Sequence, residues 1–227
     1  MDVHKYEPKV EKIKNLLNLK WPPIAGKFTN DQNKKGDSLK KTAICEAIDF
    51  VRRKNSVLNI SKVNCTCAGG RHFTGLQILR IESLAPGLAR QRHKVFDTTK
   101  TAVTSANRQP QPVNRGDFFI LGPLTEFESE PDIILFFTNA AQADRLLGLI
   151  SYRGAEPFVY YPASSICSTI TNVLATGKPQ INLISHFERQ AGKWSPNEFI
   201  TAMPLKDFEE LVRNVPHSGY GKLEMSS

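Results

Sequence analysis

Residues 132–152 read DIILFFTNAAQADRLLGLISY, and this stretch decides the fold class. Asp132 to Thr138 is a strand whose continuously apolar interior suits burial on both faces. Asn139 then offers its side-chain oxygen to a helix N-terminus. Gln142, three residues on, supplies the return half of a capping box, so a helix runs to about Tyr152. A doubly buried strand leading straight into a capped helix predicts a layered α/β domain.

Toward the C-terminus the alternation continues. Phe158 to Tyr161 reads as a strand, and Ser164 or Ser165 caps a helix that runs to about Ala175 and ends at Gly177. Ile181 to Phe187 and Glu198 to Met203 read as strands, and Pro204 opens a last helix with Phe208, Leu211, Val212 and Val215 on one face. Toward the N-terminus, Phe118 to Leu121 is a strand preceded by a proline-containing loop. Thr98 to Asn107 is a helix, and Leu76 to Leu88 is apolar without a clean period. Asn64 to Gly70 reads as a tight turn and Val57 to Val63 as a short strand pair. Thr42 to Lys54 is a helix with Ile44, Ile48 and Val51 as its core stripe. Ile24 to Thr29 is a strand, and Pro8 to Leu19 is a helix stopped by Pro22-Pro23. The expected fold class is α/β: a layered, mixed β-sheet with helices packed on it, as one domain over 1–227. Residues 1–7 and 217–227 are expected to fray, and a hinge is placed near 108–117.

Composition agrees. Hydrophobic residues make up 40% of the 227, enough for one sizeable core and far from a disordered chain. The longest apolar run, Asp132 to Ile150, is broken by Asn139, Gln142, Asp144 and Arg145, so no membrane span is expected. The opening MDVHKYEPKVEKIKNLL is charged throughout and lacks a signal-peptide pattern, which makes the cytoplasm the expected compartment. The net charge of +8 gathers in Lys34-Lys35, Lys40-Lys41, Arg52-Arg53-Lys54 and Arg90 to Lys94. Aromatic residues do not interleave with these runs, which argues against nucleic acid as a partner.

The chemistry rests on cysteine. Four cysteines in a chain of this length do not make a disulfide scaffold. Cys67 opens Cys-Ala-Gly-Gly-Arg-His, where Gly69 and Gly70 let the backbone turn its N–H groups toward a thiolate, sulfide or bound anion. Cys167 falls in the first turn of a capped helix, where the helix dipole lowers a thiol pKa and favours ligation. Cys45 flanks the core stripe of its helix. Three thiolates at one place would hold an iron–sulfur cluster with one open iron position. The other inorganic option is zinc, completed by His72 or His186. Cys65 is an auxiliary candidate, because a Cys-Thr-Cys spacing is shorter than the usual metal knuckle. Each cysteine also has a plain packing explanation as a small buried hydrophobe. His4 and His217 lie near the termini and His93 in a basic run. Glu126, Glu128, Glu130 and Asp132 mark a solvated loop, and Asp207, Glu209 and Glu210 are first-turn helix acids.

Several segments together resemble a known family. They are PPIAGKF at Pro22 to Phe28, Cys45 within a helix, the Cys67-Ala-Gly-Gly turn and the GPL–FESEPDIIL block from Gly122 to Leu135. After them come NAAQADRL from Asn139, SICS around Cys167 and TGKPQINL from Thr176. In this order they resemble the ArCR family, a domain of unknown function from archaea and anaerobic bacteria. Ala140 stands where the family often has proline, and Ala68 where another residue is common; neither is a candidate ligand. The resemblance implies that Cys45, Cys67 and Cys167 correspond to recurring family cysteines, and it supplies no activity.

The leading expectation is therefore a cytoplasmic redox or metal-cofactor protein. Cys45, Cys67 and Cys167 would be its ligands, Gly69 and Gly70 would shape the pocket, and Arg71 would hold an anionic substrate. Metal-free thiol chemistry, with Cys167 as nucleophile and Cys67 or Cys45 as resolving partner, needs no cofactor. A non-catalytic module for a small anionic ligand or nucleic acid is the third class. The expected partner is a small molecule or a redox protein, with a homo-oligomer left open.

Overall fold

The computed structural model describes residues 5–31, 36–37, 41–89, 96–154 and 165–222. In chain order the elements are α1 (Glu7–Leu17), β1 (Ile24–Thr29), α2 (Ile44–Lys54), β2 (Leu58–Ser61), α3 (Ala68–Phe73), α4 (Ile81–Ala89) and α5 (Thr99–Asn107). There follow β3 (Phe118–Pro123), β4 (Ile133–Thr138), α6 (Ala140–Ser151), α7 (Ile166–Thr176), β5 (Gln180–Asn182), α8 (His186–Ala191), β6 (Phe199–Met203) and α9 (Leu205–Asn214).

β4 lies inside a six-stranded sheet of order β2-β3-β1-β4-β6-β5, and each of these pairings is antiparallel. The parallel contacts are isolated bridges, Asp37 with Leu58 and Thr42 with Cys65. All six β4 residues are buried. Successive side chains point to opposite faces of a strand. Ile133, Leu135 and Phe137 accordingly join one core, with Ile44, Ile48 and Val51 of α2 and Ile166, Ile170 and Val173 of α7. Ile134 and Phe136 join the other, with Val10, Ile13 and Leu17 of α1, Leu146 and Leu149 of α6 and Phe208 and Leu211 of α9. The result is the layered α/β domain that the sequence predicts, helix on sheet on helix, but the sheet expected to be mixed is antiparallel in every pairing of its named strands.

Local chemistry explains the element ends. Asn139 Oδ1 accepts from Gln142 N–H at 2.9 Å, and Gln142 Oε1 accepts from Asn139 N–H at 2.9 Å, which completes the capping box. Ser165 Oγ caps α7 through Ser168 N–H, and Gly177, at φ 64°, ends it. Where β1 passes β3, a side chain on Gly26 would meet the Phe119 ring at 2.5 Å, so only glycine fits.

Three readings change. Val57 to Val63 contains one strand, not a pair, because Asn64 Oδ1 takes the Ser61 N–H and turns the chain. Residues 68–73 are helical rather than a tight turn, since Cys67 caps them. The run 181–187 is not one strand. β5 stops at Asn182, Ile184 sits at φ 51°, and Ser185 with Glu188 forms a capping box that starts α8. The expected strand 158–161 lies outside the described residues. Chain ends expected to fray are packed where described. Tyr6 is buried against α1, and Ser218 is buried with its N–H on Asn214 O at 2.9 Å. Among the described residues no helix is long and apolar enough to cross a membrane.

Among the described residues, the first core contains a buried cation, Arg52. Arg52 donates to Asp49 at 2.7 and 2.9 Å and to Glu198 at 2.5 Å, and its guanidinium stacks 3.9 Å from the centre of the Trp194 ring. Its side chain is 1% exposed. Removing it leaves Asp49 and Glu198 without their counter-ion. Arg52→Leu should therefore cost about 3–5 kcal/mol in urea unfolding, whereas Arg53→Leu on the exposed side of α2 should cost under about 0.5 kcal/mol. Equal losses would show that Arg52 is only a surface charge.

Candidate functional site

The cysteines sit on the first face of the sheet, at the N-terminal ends of α2 and α7 and at the start of α3. Backbone pairing joins the first and last of these. Thr42 N–H donates to Asn64 O and Thr66 N–H donates to Thr42 O, both at 2.9 Å, so residues 64–66 lie along the entry to α2. Cys45 is the second residue of α2 and Cys167 the second of α7. Cys67 Sγ accepts from Gly70 N–H at 3.3 Å and caps α3. A side chain on Gly70 would lie 3.1 Å from Ile44 and 3.5 Å from Cys65 Sγ, so glycine there lets α3 settle on the first turn of α2. Gly69 is open by comparison, with Cys67 Sγ at 3.9 Å from the corresponding position. The Thr171 hydroxyl of α7 donates to Phe73 O and ties α7 to the end of α3.

Exposure grades across the four thiols: Cys67 is exposed, Cys45 half-buried, and Cys65 and Cys167 buried. Burial pushes the Cys45 thiol up to about 12, and the nearby charges of Glu188, Cys67 and Glu46 add to it. Cys65 is also raised, by burial first, with a backbone hydrogen bond at Cys67 and the Arg71 charge opposing. Cys167 is held well above the ordinary thiol value by burial, then by Cys67, Cys45, Glu188 and Cys65. The N-terminal position of Cys167 predicts a lowered pKa, and the opposite is found, because full burial of a thiolate outweighs the helix dipole. Cys167 thus lies within range of the charge of the other three thiols, and Cys67 within range of Cys45 and Cys65.

Glu188 was not legible as part of this site. Its Oε1 accepts from Ile166 N–H at 2.6 Å at the start of α7, and its Oε2 accepts from the Ser185 N–H and hydroxyl at 3.1 and 2.9 Å. One buried carboxylate therefore caps two helices and lies near Cys45 and Cys167. Burial raises its pKa against those hydrogen bonds and the Arg189 charge. The pattern Ser185-x-x-Glu188 was the available signal.

The remaining candidates are occupied differently. Arg71 Nη1 donates to Cys65 O at 2.7 Å, so Arg71 braces the cysteine segment. His72 is buried, its Nδ1 accepts from Leu79 N–H at 3.1 Å, and burial lowers its pKa, which keeps it neutral. His186 is exposed at the start of α8 with Nε2 3.0 Å from Gln190 Nε2. Among the described residues, no group of three or more His, Cys, Asp or Glu side chains is disposed to hold a metal ion.

The family model described as uncharacterised ArCR matches residues 12–214. The chain belongs to the ArCR family. No curated protein and no solved structure matches it. The ArCR match takes in all four cysteines, Glu188 and most of both cores.

The raised thiols fix how stability depends on pH. A thiol whose folded pKa exceeds its unfolded value keeps its proton in the folded state after the unfolded chain has lost it. Stability is therefore full below the ordinary value of 9.0 and falls as the pH climbs toward about 12. Each such thiol contributes a slope of about 1.4 kcal/mol per pH unit. In urea titrations of reduced protein between pH 8 and pH 11 (a range chosen to span about two units above the thiol value), Cys45→Ala/Cys167→Val should lose stability less steeply than the unsubstituted chain. Parallel slopes would contradict the assignment.

Proposed function

We propose that this ArCR protein is a redox or metal-cofactor protein that holds an iron–sulfur cluster on Cys45, Cys67 and Cys167. The observation that carries the reading is the gathering of cysteines from three chain-distant segments on one face of the sheet. Burial first, and then nearby charge that includes Cys67, raises the proton affinity of Cys45 and of Cys167, so these sulfurs lie within range of Cys67. A bound cation replaces those protons, cancels the repulsion between thiolates and offsets their burial. Exposed Cys67 gives an entry path, and open Gly69 beside it leaves that thiol room to close on the group.

The same elevation weighs against metal-free nucleophilic chemistry, which needs a depressed thiol pKa. Zinc completed by histidine is also less well supported, because His72 and His186 are engaged elsewhere. Cys65 is a sulfur ligand in reserve, and a cluster ligated by cysteine alone suits the donor set. When bound, such a cluster supplies electron transfer, or an open iron position for a substrate. Free thiols fit a reducing compartment, and the cytoplasm is the one we propose.

Protein purified and reconstituted without oxygen should bind iron and sulfide and show broad visible absorbance. Cys167→Ala and Cys67→Ser should each lose most of the iron, while His72→Ala and His186→Ala keep it. Loading should rise with pH, since metal and protons compete for the thiols. Colourless, metal-free protein after careful reconstitution would sink the proposal.

A further inference from the structure

A second feature lies at the opposite ends of two site helices. A cavity of about 270 Å³ opens between the last turn of α3, the last turns of α7 and the loop 109–115. Phe73, Pro112, Val113 and Leu174 provide apolar wall, and Thr171 and Arg115 provide polar atoms. It stands about 10 Å along α3 and α7 from Cys67 and Cys167.

The loop is fastened where it is. Gln111 Nε2 donates to Ala106 O at 3.1 Å and to Gln109 O at 2.9 Å. Val113 O presses on Gly75, which sits at φ +79° with no room for a side chain, since a Cβ would lie 2.2 Å from that oxygen. Arg115 Nη2 donates to Leu174 O at 2.8 Å. These ties fasten the loop to the end of α5, to Gly75 and to the end of α7, and the cavity lies among them.

Arg115 is the informative group. One of its N–H groups is committed to a helix-end carbonyl, which fixes the guanidinium at the cavity. Among the described residues no carboxylate pairs with it, and no acidic side chain lines the cavity. A planar cationic fork beside apolar wall matches a carboxylate on a short apolar body. The partial negative charge at the α7 C-terminus works against an anion, but it is about half a charge and Arg115 carries a whole one.

The geometry points to a binding site for a small monocarboxylate with an apolar tail, open to solvent, with exposed Arg115 at its rim and Phe73 and Leu174 as wall. This inference goes beyond the cysteine reading and stands without it.

The test uses the full chain and titrates hexanoate, with hexanamide and inorganic phosphate as comparison probes, by calorimetry or amide NMR. Hexanoate should bind with one-to-one saturation and at least tenfold more tightly than hexanamide, and phosphate should not compete. Arg115→Gln should erase the preference for the carboxylate. Ala175→Leu, which fills the cavity from α7, should weaken both organic probes, with circular dichroism confirming the fold. Cys45→Ala should leave binding unchanged, which separates this site from the cysteines. Failure of hexanoate to saturate, equal binding by Arg115→Gln, or displacement by phosphate would each overturn the assignment.

Discussion

Strand β4 has no side that can face water. Ile133, Leu135 and Phe137 on one face and Ile134 and Phe136 on the other are each buried. Burial of side chains this size contributes about 1.5–3 kcal/mol each, more in sum than any polar contact in the molecule. Helices must therefore cover both faces. α1, α6 and α9 cover one, and the other falls to α2 and α7. Cys45 and Cys167 begin those last two helices, so two residues far apart in the chain approach each other because one strand excludes water twice.

The second helix layer also sets the chemistry. A helix N-terminus stabilises negative charge by about 0.3–1 kcal/mol at the surface. Moving Cys45 from 9.0 to about 12 corresponds to roughly 4 kcal/mol, so burial wins and that thiol stays protonated. Glu188 deepens the effect. Its carboxylate is tied to two helix starts and brings negative potential to Cys45 and Cys167. The region is therefore rich in sulfur and in buried negative potential, with Arg71 bracing the Cys65 segment.

Sequence reading succeeds here where the signal is local. Asn139 with Gln142, Ser165, Gly177 and the apolar run of β4 each carry their meaning within a few residues, and each is found where expected. It fails where partners are remote or where one local signal masks another. Arg52 looks like part of a basic run, yet its partners Glu198 and Trp194 come from more than a hundred residues away. The apolar letters of residues 181–187 read as strand and hide the Ser185–Glu188 box, which moves the boundary and conceals Glu188. Two glycines suggested a turn at residues 69 and 70. The Cys67 sulfur, by accepting Gly70 N–H, makes that turn the start of a helix.

Helix polarity explains why two different features share α7. Its N-terminal end presents free N–H groups, and these are met by Ser165 and the Glu188 carboxylate beside Cys167. Its C-terminal end presents carbonyls that need donors. Gly177 N–H satisfies Val173 O, but Leu174 O is left to a side chain, and Arg115 fills that role from the loop before β3. A guanidinium needs only one of its five N–H groups for that task. Among the described residues no carboxylate pairs with the rest of its charge, so a capping requirement at one helix end places an exposed cation beside apolar wall.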